Sequence, residues 1–393
     1  MAAAANTLRG QQSRRRGKRK GGERLRQRKM KTNATGNTRH KQNNKQDVGN
    51  ADEAIQGTES KARVVVMGDL HLSEGLLNDY FHPARADALR ALDGASGGER
   101  LVVQVGDLGA YDSNPGSQAC FEVAKGFLDG FKREEEGRST TTTRVRLITG
   151  NHDLEGEEFD DPSGDASLGD AANLDAWSRT FNQHHYWREE VGSSWLLLGL
   201  STTRFRSNAN SCHEVYINDE QRQWLQRVLQ ENAEAPSRRK VAIFTHAPPA
   251  GCGLRVLHSV HVKNRCAWLN HSDSRSVRWF MDELVNAFSD DIMLWSSGHF
   301  HLSHEYIDSI SVVGNTAFVQ CGVIGPCHRD GNRYVEHVCL RENGTLCECV
   351  CMSVMFVYVV LTQSTYACMS LKLRMQTIED VRPLGHGLSG VHN

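Results

Sequence analysis

Val145-Arg146-Leu147-Ile148-Thr149-Gly150-Asn151-His152-Asp153 is an apolar-leaning run that breaks into a polar turn, and its reading decides the fold. The run Val145 to Thr149 has the length of a buried strand, so Gly150 to Asp153 belong on the turn leaving its C-terminal end. In α/β proteins that is where ligands commonly bind. By itself the turn says little, because glycine and short polar residues are what any turn contains. The pattern, however, recurs four more times. Asp69-Leu70-His71 follows Val64 to Met67, Gly106-Asp107 follows Leu101 to Val105, His246 closes Val241 to Thr245, and Gly298-His299-Phe300-His301 follows Ile292 to Ser297. Each time an apolar run ends in a turn bearing an oxygen or imidazole ligand.

Between these runs lie helical patterns. Pro83 to Leu92 has helical apolar spacing and stops at Gly94, and Cys120 to Phe131 forms the next amphipathic stretch. Ser139 to Thr143 reads as a linker, Glu155 to Asp170 as an acidic surface loop, and Asn173 to Phe181 as a helix. Trp195 to Leu200 restarts the strand pattern, Asp219 to Leu229 is an amphipathic helix, and a helix is expected from about Ser274 to Ala287. Strands alternating with helices give a mixed or parallel sheet. Two such halves imply an α/β layered sandwich.

The chain has 393 residues, enough for one large domain or two ordinary ones, and its net charge of -1 is a cancellation. Residues 1–62 form a basic arm, with Arg14-Arg15-Arg16 and Lys18-Arg19-Lys20 and few large apolar residues. That is the profile of a solvated, disordered segment. Sharper readings are a nuclear import signal, an RNA-contacting arm, or an organelle leader beginning Met1-Ala2-Ala3. Eleven cysteines, an odd number without a Cys-x-x-Cys pair or a signal-peptide pattern, suggest an intracellular, reduced protein of open compartment. Residues 342–393 form an atypical tail; its apolar, Cys-rich stretch Leu346 to Leu361 falls short of the ~20 residues a spanning helix needs.

Asp69 and His71 are two apart, as are His299 and His301, so in extended backbone each pair projects to one side. A carboxylate with imidazoles can hold Zn, Mn or Fe, and ligands converging from several strands can hold two ions. Asp107 can bridge them with its two oxygens. Two divalent ions bring about +4; two carboxylates and a hydroxide leave roughly +1, which suits an anionic phosphate ester.

Asp69-x-His71, Gly106-Asp107, Gly150-Asn151-His152-Asp153, His246 and Gly298-His299-x-His301 together resemble the signature of the calcineurin-like metallophosphoesterase superfamily, in the family's order and over roughly residues 63–341. The local forms are more similar to its phosphodiesterase-like and small bacterial, algal or plant members than to the protein Ser/Thr phosphatases. The resemblance implies a four-layer αββα sandwich of two mixed sheets. It implies one metal at Asp69, His71, Asp107 and His301, and a second at Asp107, Asn151, His246 and His299. It implies that a metal-bridging hydroxide attacks a phosphodiester or phosphomonoester in line, that Asn151 and His152 face the phosphate, and that His152 assists the leaving oxygen with Asp153 orienting it. One departure is visible: Leu108 to Tyr111 separate Asp107 from Asp112, unlike the closely following Asp and Arg of the protein phosphatases.

The stretch His261 to Arg265 is a candidate to line the cleft mouth with positive charge through Lys263 and Arg265, whereas His184, His185, His258, His261 and His304, each taken alone, read as ordinary surface or core histidines. Arg204 and Arg206 read equally as phosphate contacts or as surface solvation. Two other functions compete with the hydrolase: a non-catalytic scaffold on the same fold, and a nucleic-acid-associated protein using the basic arm. Retention of His152 and of each ligand position argues against the scaffold.

Overall fold

The computed structural model describes residues 62–93, 98–110, 114–133, 142–208, 210, 213–256, 259–301 and 309–324, together with the strand backbone at 336–340, 342–343, 346–347 and 362–363. The basic arm before residue 62 and most of the Cys-rich tail lie outside the described residues, as do Asp112, His258 and His304.

The first sheet holds β1 (Arg63–Met67), β2 (Arg100–Gln104) and β3 (Thr143–Leu147) in parallel, with β10 (Glu336–Leu340) antiparallel to β1. The second has the order β4-β5-β6-β7-β9-β8. There β5 (Trp195–Leu200), β6 (Lys240–Thr245), β7 (Ile292–Ser297) and β9 (Thr316–Gln320) run parallel, between antiparallel edges β4 (Trp187–Val191) and β8 (Ile310–Val313).

Why the strands are apolar almost throughout follows from the layering. Alternate residues point to opposite faces, and here both faces are covered. Val64 and Val66 of β1, with Leu101 and Val103 of β2, pack between the sheets against Leu197, Ala242, Phe244 and Leu294. Val65, Met67, Val102 and Leu147 turn the other way, under α1 (His82–Asp93), α2 (Gln118–Arg133) and α3 (Ala166–Phe181), meeting Leu92, Phe121, Phe127 and Trp177. The outer face of the second sheet, with Leu196, Ile243 and Trp295, is covered by α4 (Asp219–Glu234) and by a turn carrying Phe280 and Leu284. The result is the four-layer αββα sandwich.

Several element bounds differ from the sequence reading for local physical reasons. The third strand ends at Leu147, because Ile148 to Gly150 already belong to the site turn. The acidic loop contains two short turns and then α3, which begins at Ala166 because the Asp165 side chain caps the Ser167 N–H. In place of a helix from Ser274 to Ala287, mixed i+3, i+4 and i+5 hydrogen bonds build turns and a wide π-type segment, Phe280–Val285. That widening keeps Phe280, Met281, Leu284 and Val285 all buried. α4 matches its expected start: Asn218 caps the Gln221 N–H, and Asp219 and Glu220 lie in the favourable first turn.

Candidate metal centre and active site

The C-terminal ends of β1, β2, β3, β6 and β7 meet on one side of the sandwich, and each contributes site residues. Asp69 and His71 follow β1, Asp107 follows β2, Asn151 and His152 follow β3, His246 follows β6, and His299 and His301 follow β7. Two compact groups result. Ligand-capable atoms of Asp69, His71 and His301 lie within 4.8 Å of one another, and so do those of Asp107, His246 and His299. Asp107 stands between them: Oδ2 is 3.0 Å from His246 Nε2 and 3.9 Å from His71 Nε2. Asn151 Oδ1 is 3.1 Å from His246 Nε2.

Backbone strain holds this arrangement. His71, Asp107, His299 and His301 all have positive φ, between 40° and 74°, a conformation that costs a non-glycine residue about 1–3 kcal/mol and clusters at functional sites. In its strained turn the Asp107 carbonyl accepts N–H bonds from both Leu70 (3.0 Å) and His71 (2.9 Å), locking the β1 turn to the β2 turn. Gly150 is required for close approach, since a Cβ there would overlap the Asp107 carboxylate and backbone.

The donor set fits metal cations. His246 Nδ1 is 2.7 Å from the Val105 carbonyl, an arrangement that calls for Nδ1–H as donor. Its Nε2 lone pair then faces two oxygens, from Asp107 and Asn151, which is repulsive unless a proton or a metal lies among them. His71 Nδ1, 3.2 Å from the Gly109 carbonyl, likewise leaves Nε2 directed at His301 Nε2, 3.0 Å away, while His301 Nε2 is 2.7 Å from Asp69 Oδ2. His299 Nε2 is 2.5 Å from the Cys266 carbonyl, leaving Nδ1 for a cation. Asn151 Nδ2 is buried and has no hydrogen-bond partner among the described residues.

Electrostatics point the same way. Burial opposes charge on Asp69 and Asp107, yet the surrounding imidazoles hold both below the usual carboxylate range, His246 foremost. Burial, then His301, pushes His71 down to about 4. Burial, then His261 and His246, pushes His299 far below its ordinary value. Both are therefore neutral and able to ligate near pH 7. His246 behaves oppositely: against the effect of burial, Asp107 and Asp69 raise it to about 9, so without metal it carries the proton its geometry demands.

A cavity of about 100 Å³ opens over the two groups, lined by Asp107, Asn151, His152, His299 and His301 on the ligand side and by His213, Val260, His261, Asn264 and Cys266 opposite. His152 is buried, and Asp107 and Glu155 raise its pKa against the opposing effect of burial.

Four expectations about individual residues change. Asp153 does not orient His152: its carboxylate accepts the N–H groups of Asp107 (2.9 Å), Leu108 (2.8 Å) and Gly150 (2.8 Å), tying the β2 and β3 turns together. Burial and neighbouring Asp107 push its carboxyl up to about 6. The carboxylate on His152 is Glu155, whose Oε1 is 2.7 Å from Nδ1. Lys263 and Arg265 are exposed and line no part of the cavity, because the short helix α5 (Ser259–Lys263) turns Val260 and His261 toward it instead. Arg204 pairs with buried Glu214 and stacks 3.5 Å over the Tyr216 ring, and Arg206 is engaged with the loop after His152; neither lines the cavity. His261, read from sequence as ordinary, is buried in the cavity wall, edge-on to His299 at 4.8 Å. His213 and Glu155 had no role in the sequence reading; the i,i+3 spacing of Glu155 from His152 in a tight turn is the signal that could have found it.

The calcineurin-like phosphoesterase family model matches residues 62–303, and the chain belongs to that family. No curated protein matches the sequence. Among solved structures, the chain is similar to a dimetal phosphatase from Danio rerio at 13% identity, over 67% of this chain and 88% of that one, with a TM-score of 0.42. It is similar to the phosphopantetheinyl hydrolase of Mycobacterium tuberculosis at 11% identity, over 67% and 90%, with a TM-score of 0.37. PhoD is similar at 12% identity, over 67% of this chain and 56% of its own, with a TM-score of 0.40. Among the described residues no helix is long and apolar enough to cross a membrane.

Proposed function

We propose that this chain hydrolyses a phosphate ester, monoester or diester, at a centre of two metal ions of the Mn, Fe or Zn type. Asp69, His71 and His301 would hold one ion, His246, His299 and Asn151 the other, with Asp107 between. The observation that carries this is the convergence of two neighbouring ligand groups whose imidazole lone pairs face oxygens or each other. Bound cations would polarise the phosphoryl oxygens and make hydroxide available at neutral pH. The protein residues do the rest. Asn151 and His152 line the cavity where the phosphoryl group would sit, and His152, its pKa raised, donates a proton to the departing oxygen. Asp153 keeps the β2 and β3 turns at a fixed separation, and burial of the ligands keeps bulk water from competing for them.

The small cavity has no described Lys or Arg side chain in its lining, so charge attraction for substrate falls to the metal centre and to His152. The test is turnover of p-nitrophenyl phosphate and bis-p-nitrophenyl phosphate by metal-stripped protein resupplied with Mn, Zn or Fe, alongside His152→Ala. Metal-dependent hydrolysis is the expected result, with the loss in His152→Ala largest on phenyl esters, whose leaving oxygen needs a proton, and the preferred ester sorts monoesterase from diesterase. Absence of turnover in a chain that binds two ions would favour the scaffold reading. The basic arm would serve, on this proposal, as a separate nucleic-acid contact within an intracellular enzyme: deleting residues 1–61 should abolish nucleic-acid binding and leave small-ester hydrolysis intact.

A further inference from the structure

Beside the turn after β3 lies a third cluster of titratable groups, His152 and Glu155 of that turn with His213 from the connection between β5 and α4, outside the two ligand sets. Glu155 Oε1 is 2.7 Å from His152 Nδ1 and 3.3 Å from His213 Nδ1, so one carboxylate oxygen faces two imidazoles. The His152 and His213 rings are 5.3 Å apart and both line the cavity. Glu155 itself is held from behind. The Arg206 guanidinium donates to the carbonyls of Leu154 (2.8 Å) and Gly156, the residues flanking Glu155, and it also meets Asp160. The Asp170 carboxylate in turn fixes the Arg206 and Ser207 backbone N–H groups at 2.8 and 2.9 Å. The chain thus commits a largely buried arginine side chain and a second carboxylate to the placement of one glutamate side chain.

We infer that Glu155 is the positioning residue for His152, with His213 as its second imidazole, and that this pair fills the orienting role expected of Asp153. The inference rests on the phosphoesterase reading above. Its consequence is chemical. With Glu155 accepting from Nδ1–H, His152 presents Nε2 to the substrate, and the positive imidazolium is stabilised by the carboxylate. As phosphorus gains a bond to hydroxide, the bond to the leaving oxygen breaks, with its electron pair remaining on that oxygen. The oxygen then takes the Nε2 proton, leaving neutral His152 with Nδ1–H still on Glu155. His213, whose side chain is about one-third exposed, faces the same Glu155 oxygen and helps hold it, and once the product leaves, water entering the cavity restores the Nε2 proton of His152.

A positioning role predicts dependence on the leaving group, which a merely structural role does not. Glu155→Gln in the full metal-loaded chain should lower kcat about tenfold or more for phenyl and alkyl esters, whose leaving oxygens need a proton. It should lower kcat less than about threefold for p-nitrophenyl esters, whose leaving group departs unaided, with KM unchanged. His213→Gln should show the same pattern more weakly. Equal losses on all esters, or a change confined to KM, would overturn the assignment. A second measurement does not need turnover: in the zinc-loaded chain, long-range proton–nitrogen correlation spectra should show His152 protonated at Nδ1, and Glu155→Ala should weaken or shift that signal. An unprotonated His152 Nδ1, or a signal indifferent to Glu155→Ala, would refute the contact. A chain without turnover would contradict the phosphoesterase reading while leaving the spectra to decide this one.

Discussion

Replacing Arg206 by Met keeps most of the apolar stem and removes the guanidinium that clamps the loop after His152. The structure sets the size of the effect. Arg206 has a side chain only 10% exposed, and its charged donors reach two backbone carbonyls, Leu154 and Gly156. A hydrogen bond to a charged group contributes about 1.5–3 kcal/mol net, so losing two costs roughly 3–6 kcal/mol. The Asp160 contact adds little, because that carboxylate is 63% exposed and solvent screens it. Asp170 loses the guanidinium 3.7 Å from its Oδ1 but keeps the Arg206 and Ser207 backbone donors and the Ser207 hydroxyl. For a domain of this size, such a loss lowers Tm by roughly 6–24 °C if the loop unfolds with the whole, less if it opens locally. Freed carbonyls also release Glu155, so kcat should fall about tenfold on poor leaving groups while KM holds. Circular dichroism melting and steady-state kinetics on the same preparation check both. A Tm within about 2 °C of wild type together with a large rise in KM would show Arg206 meeting substrate, and would refute the clamp.

Other residues give equally direct tests. Asp153→Asn puts a side-chain donor against at least one of three backbone N–H groups, so it should lower metal retention measured by competition with a chelator. It should leave the leaving-group dependence of kcat unaltered; a selective effect there would restore Asp153 as the orienting group. Lys263→Ala with Arg265→Ala should leave kcat and KM unchanged, because both residues are exposed and outside the cavity lining, whereas Asn264→Ala should raise KM. Without metal, His246 titrates near 9, above its ordinary 6.5, so its contribution to stability is complete below about 6.5 and lost as pH rises through 9. A cation must displace that proton, and calorimetry at pH 8 in buffers of different ionisation enthalpy should detect the release of about one proton from this histidine. Uptake without proton release would show that His246 is not a ligand.

The ligand positions were legible in the sequence because each follows an apolar run directly, and a strand's C-terminal end fixes where the next two or three residues point. Asp69, His71, Asp107, Asn151, His246, His299 and His301 all come together on that local logic. What escaped the sequence depends on chain segments meeting from a distance. His213 lies on the connection between β5 and α4, and no strand precedes it to say where it faces. His261 looked ordinary because its burial against His299 depends on α5 folding over the site. Lys263 and Arg265 were singled out by charge, but the neighbouring residues that line the cavity are Val260, His261, Asn264 and Cys266, a choice of face that charge does not reveal. Edge strand β4 carried a readable period of two, with Trp187, Glu189 and Val191 buried between exposed Arg188 and Glu190. A glutamate at an inward position hid the pattern; the structure buries Glu189 against Arg144 and Arg146 of β3.

The most direct test of the central claim is the metal content of the purified chain after stripping and reloading with manganese or zinc, compared with Asp107→Asn. Two ions per wild-type chain, falling to one or none when the shared carboxylate loses its charge, is the predicted result. A wild type that holds at most one ion, or an Asp107→Asn variant that keeps two with equal affinity, would contradict a centre in which Asp107 joins the two ligand groups.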